Sequence, residues 1–205
     1  MCAGGWDELH GTVRRLLPDP GVPRECSRQP GLCPLSWIQT LSGRVFDYSD
    51  PDPGAVRIHD IAHALALINR FSGHTRRPYS VAQHSIFVSR HVPPGFALAA
   101  LLHDCHEAFV IDLPKPLKVL IPEYQAIENR VQEFVLRALA IDPADVHGST
   151  VKEADMRALA TEARDLLAKP KKPWAERLEP YPCKVLPWGW ETAKKQFLLT
   201  YQALM

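Results

Sequence analysis

The sequence has almost no charge imbalance: 24 Lys and Arg against 23 Asp and Glu leave a formal net charge of +1 over 205 residues. Long nucleic acid and acidic membrane surfaces are therefore not expected as partners, because each calls for a basic patch or stripe. A small anion needs only a local cluster. There is no run of about twenty apolar residues of the kind that spans a bilayer. The opening stretch MCAGGWDELHGTVRRLL lacks an apolar core followed by a cleavage site, so the expected location is cytoplasmic. Cysteine is sparse and odd in number. Cys2, Cys26, Cys33, Cys105 and Cys183 contain no CxxC spacing, which argues against a disulfide framework or a cysteine zinc site. Cys26 and Cys33 could pair, but reduced thiols are the expected state. No internal repeat is visible.

What is present is a chain long enough for one domain with a sizeable core, 46% apolar and 23% charged. Proline is abundant: the 19 prolines are about twice the usual 5% share. They gather in 18–34, 51–53 and 170–187, which should be extended or loop-like. Residues 1–34 read as a proline-rich extension and 35–205 as the domain. Alternating apolar positions and a Ser-Gly turn predict a small β-hairpin near residues 37–50. The rest has helical periodicity. Ile58, Ile61, Ala62, Leu65 and Ile68 form one stripe over 58–69. Ser80 is the expected N-cap of the next helix, with Gln83 completing a capping box, and that helix runs to about His91. Further helices are expected over 95–109, 122–140, 150–168 and 190–204. The expected fold is mainly α, a bundle of five to seven helices with the hairpin beside it.

One stretch concentrates chemistry. AALLHDCHEAFVIDLPKPLK, residues 99–118, places His103, Asp104, His106, Glu107 and Asp112 within ten residues. Burying ionised carboxylates costs several kcal/mol each unless something compensates them. Other inward-facing polar groups lie elsewhere. His84 sits between Val81 and Val88 on the core side of its helix, and Asp155 aligns with Leu159, Ala163 and Leu166. Three helices thus point imidazole or carboxylate into a common interior. A divalent cation compensates such carboxylates and accepts imidazole lone pairs, and a mixed N/O set suits zinc, manganese, cobalt or iron better than calcium.

The order His84, then His103-Asp104, then Asp155 resembles the H…HD…D signature of the HD-domain metal-dependent phosphohydrolases. The longer segments LINRF (67–71), SVAQHS (80–85), HDCHEAFVIDLPKPLK (103–118) and VKEADMRALATEARDL (151–166) resemble bacterial 5'-deoxynucleotidases. They are still more similar to short phage-type HD hydrolases, which include dATP triphosphohydrolases. The likeness covers about 35–205. It implies an HD-domain helical bundle and a cytoplasmic nucleotide phosphohydrolase, acting as a dNMP 5'-nucleotidase or a dNTP triphosphohydrolase. It implies His84, His103, Asp104 and Asp155 as metal ligands, with Co2+, Mn2+, Zn2+ or Fe2+ as the ion. A second Mg2+ or Mn2+ could arrive with substrate. Glu107 and Asp112 would be the catalytic carboxylates, and Arg70 and Phe71 would contact substrate, Phe71 standing where the family pattern has Trp. The implied partners are a small nucleotide and further copies of the chain, as a dimer or larger assembly.

The residues themselves agree with that assignment. Glu107, four residues beyond His103, lies one helical turn away on the same face. Either Glu107 or Asp112 could act as general acid or base, although Asp112 also suits the turn before LPKP. Arg70, His74 and Lys115 supply positive charge for phosphate. HDIAH, residues 59–63, imitates the HExxH zinc-protease pattern but has Asp where that motif has Glu. Two other functions stay open: a cyclic- or signalling-nucleotide phosphodiesterase, and a catalytically idle nucleotide-binding module.

Overall fold

In the computed structural model, which describes residues 36–172 and 178–205, helix dominates as the periodicity predicts. The expected 1–34 extension, with Cys2, Cys26 and Cys33, lies outside the described residues. The described residues belong to one unit, Ser36–Met205. The hairpin is present: β1 (Trp37–Gln39) pairs antiparallel with β2 (Val45–Asp47), in the register Ile38 opposite Phe46. Phe46 is fully buried and stacks on Phe109 with ring centroids 4.1 Å apart, so the hairpin is pinned to the helical core.

The helices are α1 (Ile58–Leu67), α2 (Val81–Ser89), α3 (Ala97–Leu102), α4 (Glu107–Val110), α5 (Lys115–Lys118), α6 (Pro122–Ala138), α7 (Pro143–His147), α8 (Ser149–Leu166) and α9 (Trp190–Leu204). Helix α2 lies at the centre and packs against α1, α3, α8 and α9. Eight of its residues are buried, the pattern of a helix enclosed on all sides. Its polar side chains are satisfied internally. Ser85 Oγ donates to the Val81 carbonyl at 3.0 Å, and Ser89 Oγ donates to the Ala97 carbonyl at 2.7 Å.

Three local expectations are corrected. Ser80 does cap α2, accepting from the Gln83 amide, but Gln83 does not reach back to complete a box. Its side-chain amide donates to the Leu186 carbonyl and accepts from the Trp188 N–H, both at 2.8 Å. The α2 helix ends at Ser89 rather than His91. The single helix expected over 95–109 is interrupted. A short turn over Pro94–Phe96 leads into α3, and residues 103–106 form a tighter turn before α4. There the amides of Cys105 and Glu107 bond carbonyls three residues back, those of Leu102 and Asp104.

A candidate metal centre between three helices

The imidazoles come together as the inward stripes predict. His84 on α2 is completely buried, and His103, at the end of α3, is 7% exposed. Their Nε2 atoms face each other at 3.3 Å. Asp104 Oδ2 lies 3.1 Å from His103 Nε2 and 3.6 Å from His84 Nε2. Asp155, on α8, brings Oδ1 to 3.1 Å from His84 Nε2 and 3.9 Å from His103 Nε2. Among the described residues His84, His103 and Asp104 form a group that could hold a metal ion, with ligand atoms all within 4.8 Å of one another. Asp155 stands beside both imidazoles.

The rest of each ring shows why a cation fits. His103 Nδ1 lies 2.7 Å from the Ala100 carbonyl, a pure acceptor, so that nitrogen carries the hydrogen. His84 Nδ1 lies 2.7 Å from Glu162 Oε1. Burial pushes the Glu162 pKa up, but Arg70 and His84 outweigh it and hold the carboxyl below its ordinary range, so it too accepts. In both neutral rings the Nε2 lone pair then points at the other and at two carboxylates. Protons or a cation must fill that space. Outer nitrogens bound to a carboxylate or carbonyl are what metal-ligating histidines show.

Charge in the cluster follows the same geometry. Burial and Arg70 lower the His84 pKa, yet Glu162 and the hydrogen bonds to Asp155 and Glu162 lift it to about 9. Burial opposes ionisation of Asp104, but His103, His84 and Arg70 hold it well below the usual carboxylate range. Metal uptake here would therefore displace protons.

The peptide that carries His103 and Asp104 is held from behind. Gln132 Nε2 donates to the His103 carbonyl at 3.0 Å. The last carbonyls of α4 are met by tyrosines: Tyr48 Oη donates to Phe109 O at 2.5 Å and Tyr124 Oη to Val110 O at 2.7 Å. These contacts fix Glu107, which is 4% exposed. Burial, then Asp104 and Asp112, push its pKa well above the ordinary value, so it keeps its proton to higher pH than a free carboxyl. Glu107 Oε2 and the neighbouring His106 Nδ1 are buried with no hydrogen-bond partner among the described residues. Asp112 is half-buried and its pKa is likewise raised, by burial first. It follows Ile111, whose φ of 67° is costly for a β-branched residue and turns the chain sharply there.

The cations divide between the cluster and the surface. Arg70 is buried; its Nε donates to Glu162 Oε2 at 3.1 Å, and its Nη1 lies 3.6 Å from Asp104 Oδ2. An antiparallel bridge between Asn69 and Ser80 closes the loop that presents it. Phe71 and Ser72 adopt left-handed backbone, φ 56° and 50°, and the Phe71 ring centroid lies 5.6 Å from the Arg70 guanidinium carbon. His74 and Lys115 are exposed. The lysine nearer the acids is Lys118, half-buried, with Nζ 2.6 Å from Glu128 Oε1 and within the field of Glu107 and Asp104.

Sequence reasoning missed Glu162, Tyr79 and Lys118. For Glu162 a signal existed: it lies seven residues after Asp155, two helical turns along the same side of α8. The HDIAH pair forms no comparable group. His59 is exposed, and His63 Nδ1 lies 3.4 Å from Lys194 Nζ.

Fold and site together define a mainly helical protein with a buried histidine–aspartate cluster able to hold a metal ion. No family model matches the chain. It is 42% identical over 132 residues to the uncharacterized protein YfdR of Escherichia coli (strain K12), covering 64% of this chain and 73% of that protein. It is 35% identical over 144 residues to the uncharacterized protein RCAP_rcc00048 of Rhodobacter capsulatus, again 64% of this chain and 73% of that protein. The chain belongs to the family of YfdR. Among the described residues, no helix is long and apolar enough to cross a membrane.

Proposed function

We propose that this protein is an HD-type metal-dependent phosphohydrolase that acts on nucleotides, deoxynucleotides foremost, in the cytoplasm. The observation that carries the reading is the pair of Nε2 atoms 3.3 Å apart, each ring committed through Nδ1, with Asp104 and Asp155 beside them. His84, His103, Asp104 and Asp155 would hold Mn2+, Co2+, Zn2+ or Fe2+. When bound, the ion supplies Lewis acidity towards a phosphoryl oxygen and lowers the pKa of water.

The chain's own groups divide the remaining work. Glu107, whose Oε2 is buried without a hydrogen-bond partner, holds a proton and delivers it to the departing oxygen. Asp112 orients the attacking water from the neighbouring strained turn. Arg70, fixed by Glu162, turns its Nη1 towards the cluster, where it meets substrate phosphate. Lys118 adds a point charge felt by Glu107 and Asp112, and the base packs near Phe71.

The test is a substrate panel on the full chain with each metal in turn. Phosphate released from dNMPs identifies a 5'-nucleotidase; pyrophosphate or triphosphate released from dNTPs identifies the nucleoside-triphosphate version. Hydrolysis confined to cyclic or signalling nucleotides, or no hydrolysis with any metal, overturns the proposal.

A further inference from the structure

Glu162 is fully buried and receives three donors: His84 Nδ1 at 2.7 Å and Tyr79 Oη at 2.9 Å on Oε1, and Arg70 Nε at 3.1 Å on Oε2. A carboxylate can accept all three, because each oxygen offers two lone pairs. Burying a charged group is costly, and here it is offset by one cation and two further hydrogen bonds. The two oxygens serve different parts of the site. One holds the ring whose Nε2 faces the cluster, and the other holds the guanidinium whose Nη1 approaches Asp104.

We propose that Glu162 is the positioning residue that ties the metal centre to the anion-facing Arg70, setting the ring tautomer of His84 and the pose of the guanidinium with one side chain. This rests on the metal-centre reading above. The argument is one of donor and acceptor count. An amide at 162 has one accepting oxygen and one donating nitrogen, while both sides of the residue are approached by N–H groups. If the amide nitrogen faces Arg70, it opposes the guanidinium N–H and releases it. If it faces His84, it forces the ring hydrogen onto Nε2 and removes the lone pair a metal needs. Glu162→Gln is therefore close in shape but wrong in hydrogen bonding. Tyr79→Phe removes one donor and leaves both links intact.

The experiment measures Zn2+ and Co2+ dissociation constants by chelator competition on the full chain, and then inorganic phosphate affinity at saturating metal. Glu162→Gln should weaken metal about 10–100-fold, the range for outer-shell partners of ligating histidines, and should weaken phosphate in parallel. Tyr79→Phe should unfold more easily yet keep both constants within about threefold of wild type. Metal and phosphate binding unchanged in folded Glu162→Gln, or weakened equally by Tyr79→Phe, overturns the proposal. Should Glu162→Gln not fold, 15N-resolved imidazole spectra of the Zn2+-loaded wild-type chain decide. A hydrogen on His84 Nδ1 supports the proposal and its absence overturns it. A wild-type chain that takes up no metal removes this inference and the hydrolase reading together. One that binds metal but cleaves no nucleotide removes only the hydrolase reading.

Discussion

The chain contains the dipeptide His-Asp twice, and the two copies meet opposite fates. His103-Asp104 sits in a tight turn between α3 and α4, where both side chains face His84 and the imidazole also approaches Asp155. His59-Asp60 sits in the first turn of α1, where the histidine is exposed and the buried Asp60 accepts 2.6 Å from Ser42 Oγ of the hairpin loop. Asp60 is an acid with a local structural partner; Asp104 is an acid whose partners include an imidazole from another helix, α2, and a guanidinium from a loop. The dipeptide therefore specifies nothing by itself. Groups brought from far along the chain, and the hydrogen bonds on the outer face of each ring, make one copy a candidate centre and the other a helix start.

The largest expected effects test that contrast directly. His103→Ala should lower metal affinity by more than the roughly 100-fold that loss of an outer-shell partner causes, with His59→Ala leaving it unchanged; chelator competition reads both. Equal loss in the two variants would break the comparison. Glu107→Gln should lower kcat by about 10^2–10^4-fold while metal affinity holds, if its proton serves the leaving group; single-turnover kinetics on a cleaved nucleotide measures this.

A pH effect should arise from the cluster around His103-Asp104, through His84. The folded-state pKa of His84, about 9, exceeds its ordinary value of 6.5. In metal-free protein its stabilising contribution is complete below pH 6.5 and is lost as pH rises through about 9. Urea midpoints across that window should fall, and saturating Zn2+ should flatten the trend. The smallest effect belongs to the other copy: Ser42→Ala should cost about 1–3 kcal/mol by leaving Asp60 without its hydroxyl, with no change in metal binding.

His84 was legible because a three-and-four spacing against Val81 and Val88 leaves it only the core to face, and it is fully buried. The hairpin and the last helix were legible from alternation and from apolar period. The break at residues 103–106 was not, since no proline or glycine marks it; the tighter turn is sustained by tertiary hydrogen bonds such as that from Gln132. Glu162 escaped because glutamate on an amphipathic helix ordinarily faces water. What encloses it, Tyr79 and Arg70, comes from a loop closed by a two-residue bridge that local pattern does not announce. Lys118 was hidden behind Lys115 because a proline-rich stretch suggested a stiff turn, whereas Lys115–Lys118 forms a helical turn that carries the later lysine inward.

The amide of Gln83 reaches across to residues 186 and 188, one position before the buried histidine of α2. Helix α9 follows immediately and lays Ala193 and Phe197, both fully buried, into the core shared with α1 and α2. The closing twenty residues thus act as a splint for the central helix. Shortening the chain at its carboxyl end would loosen His84 from a distance, without touching any residue of the histidine–aspartate cluster.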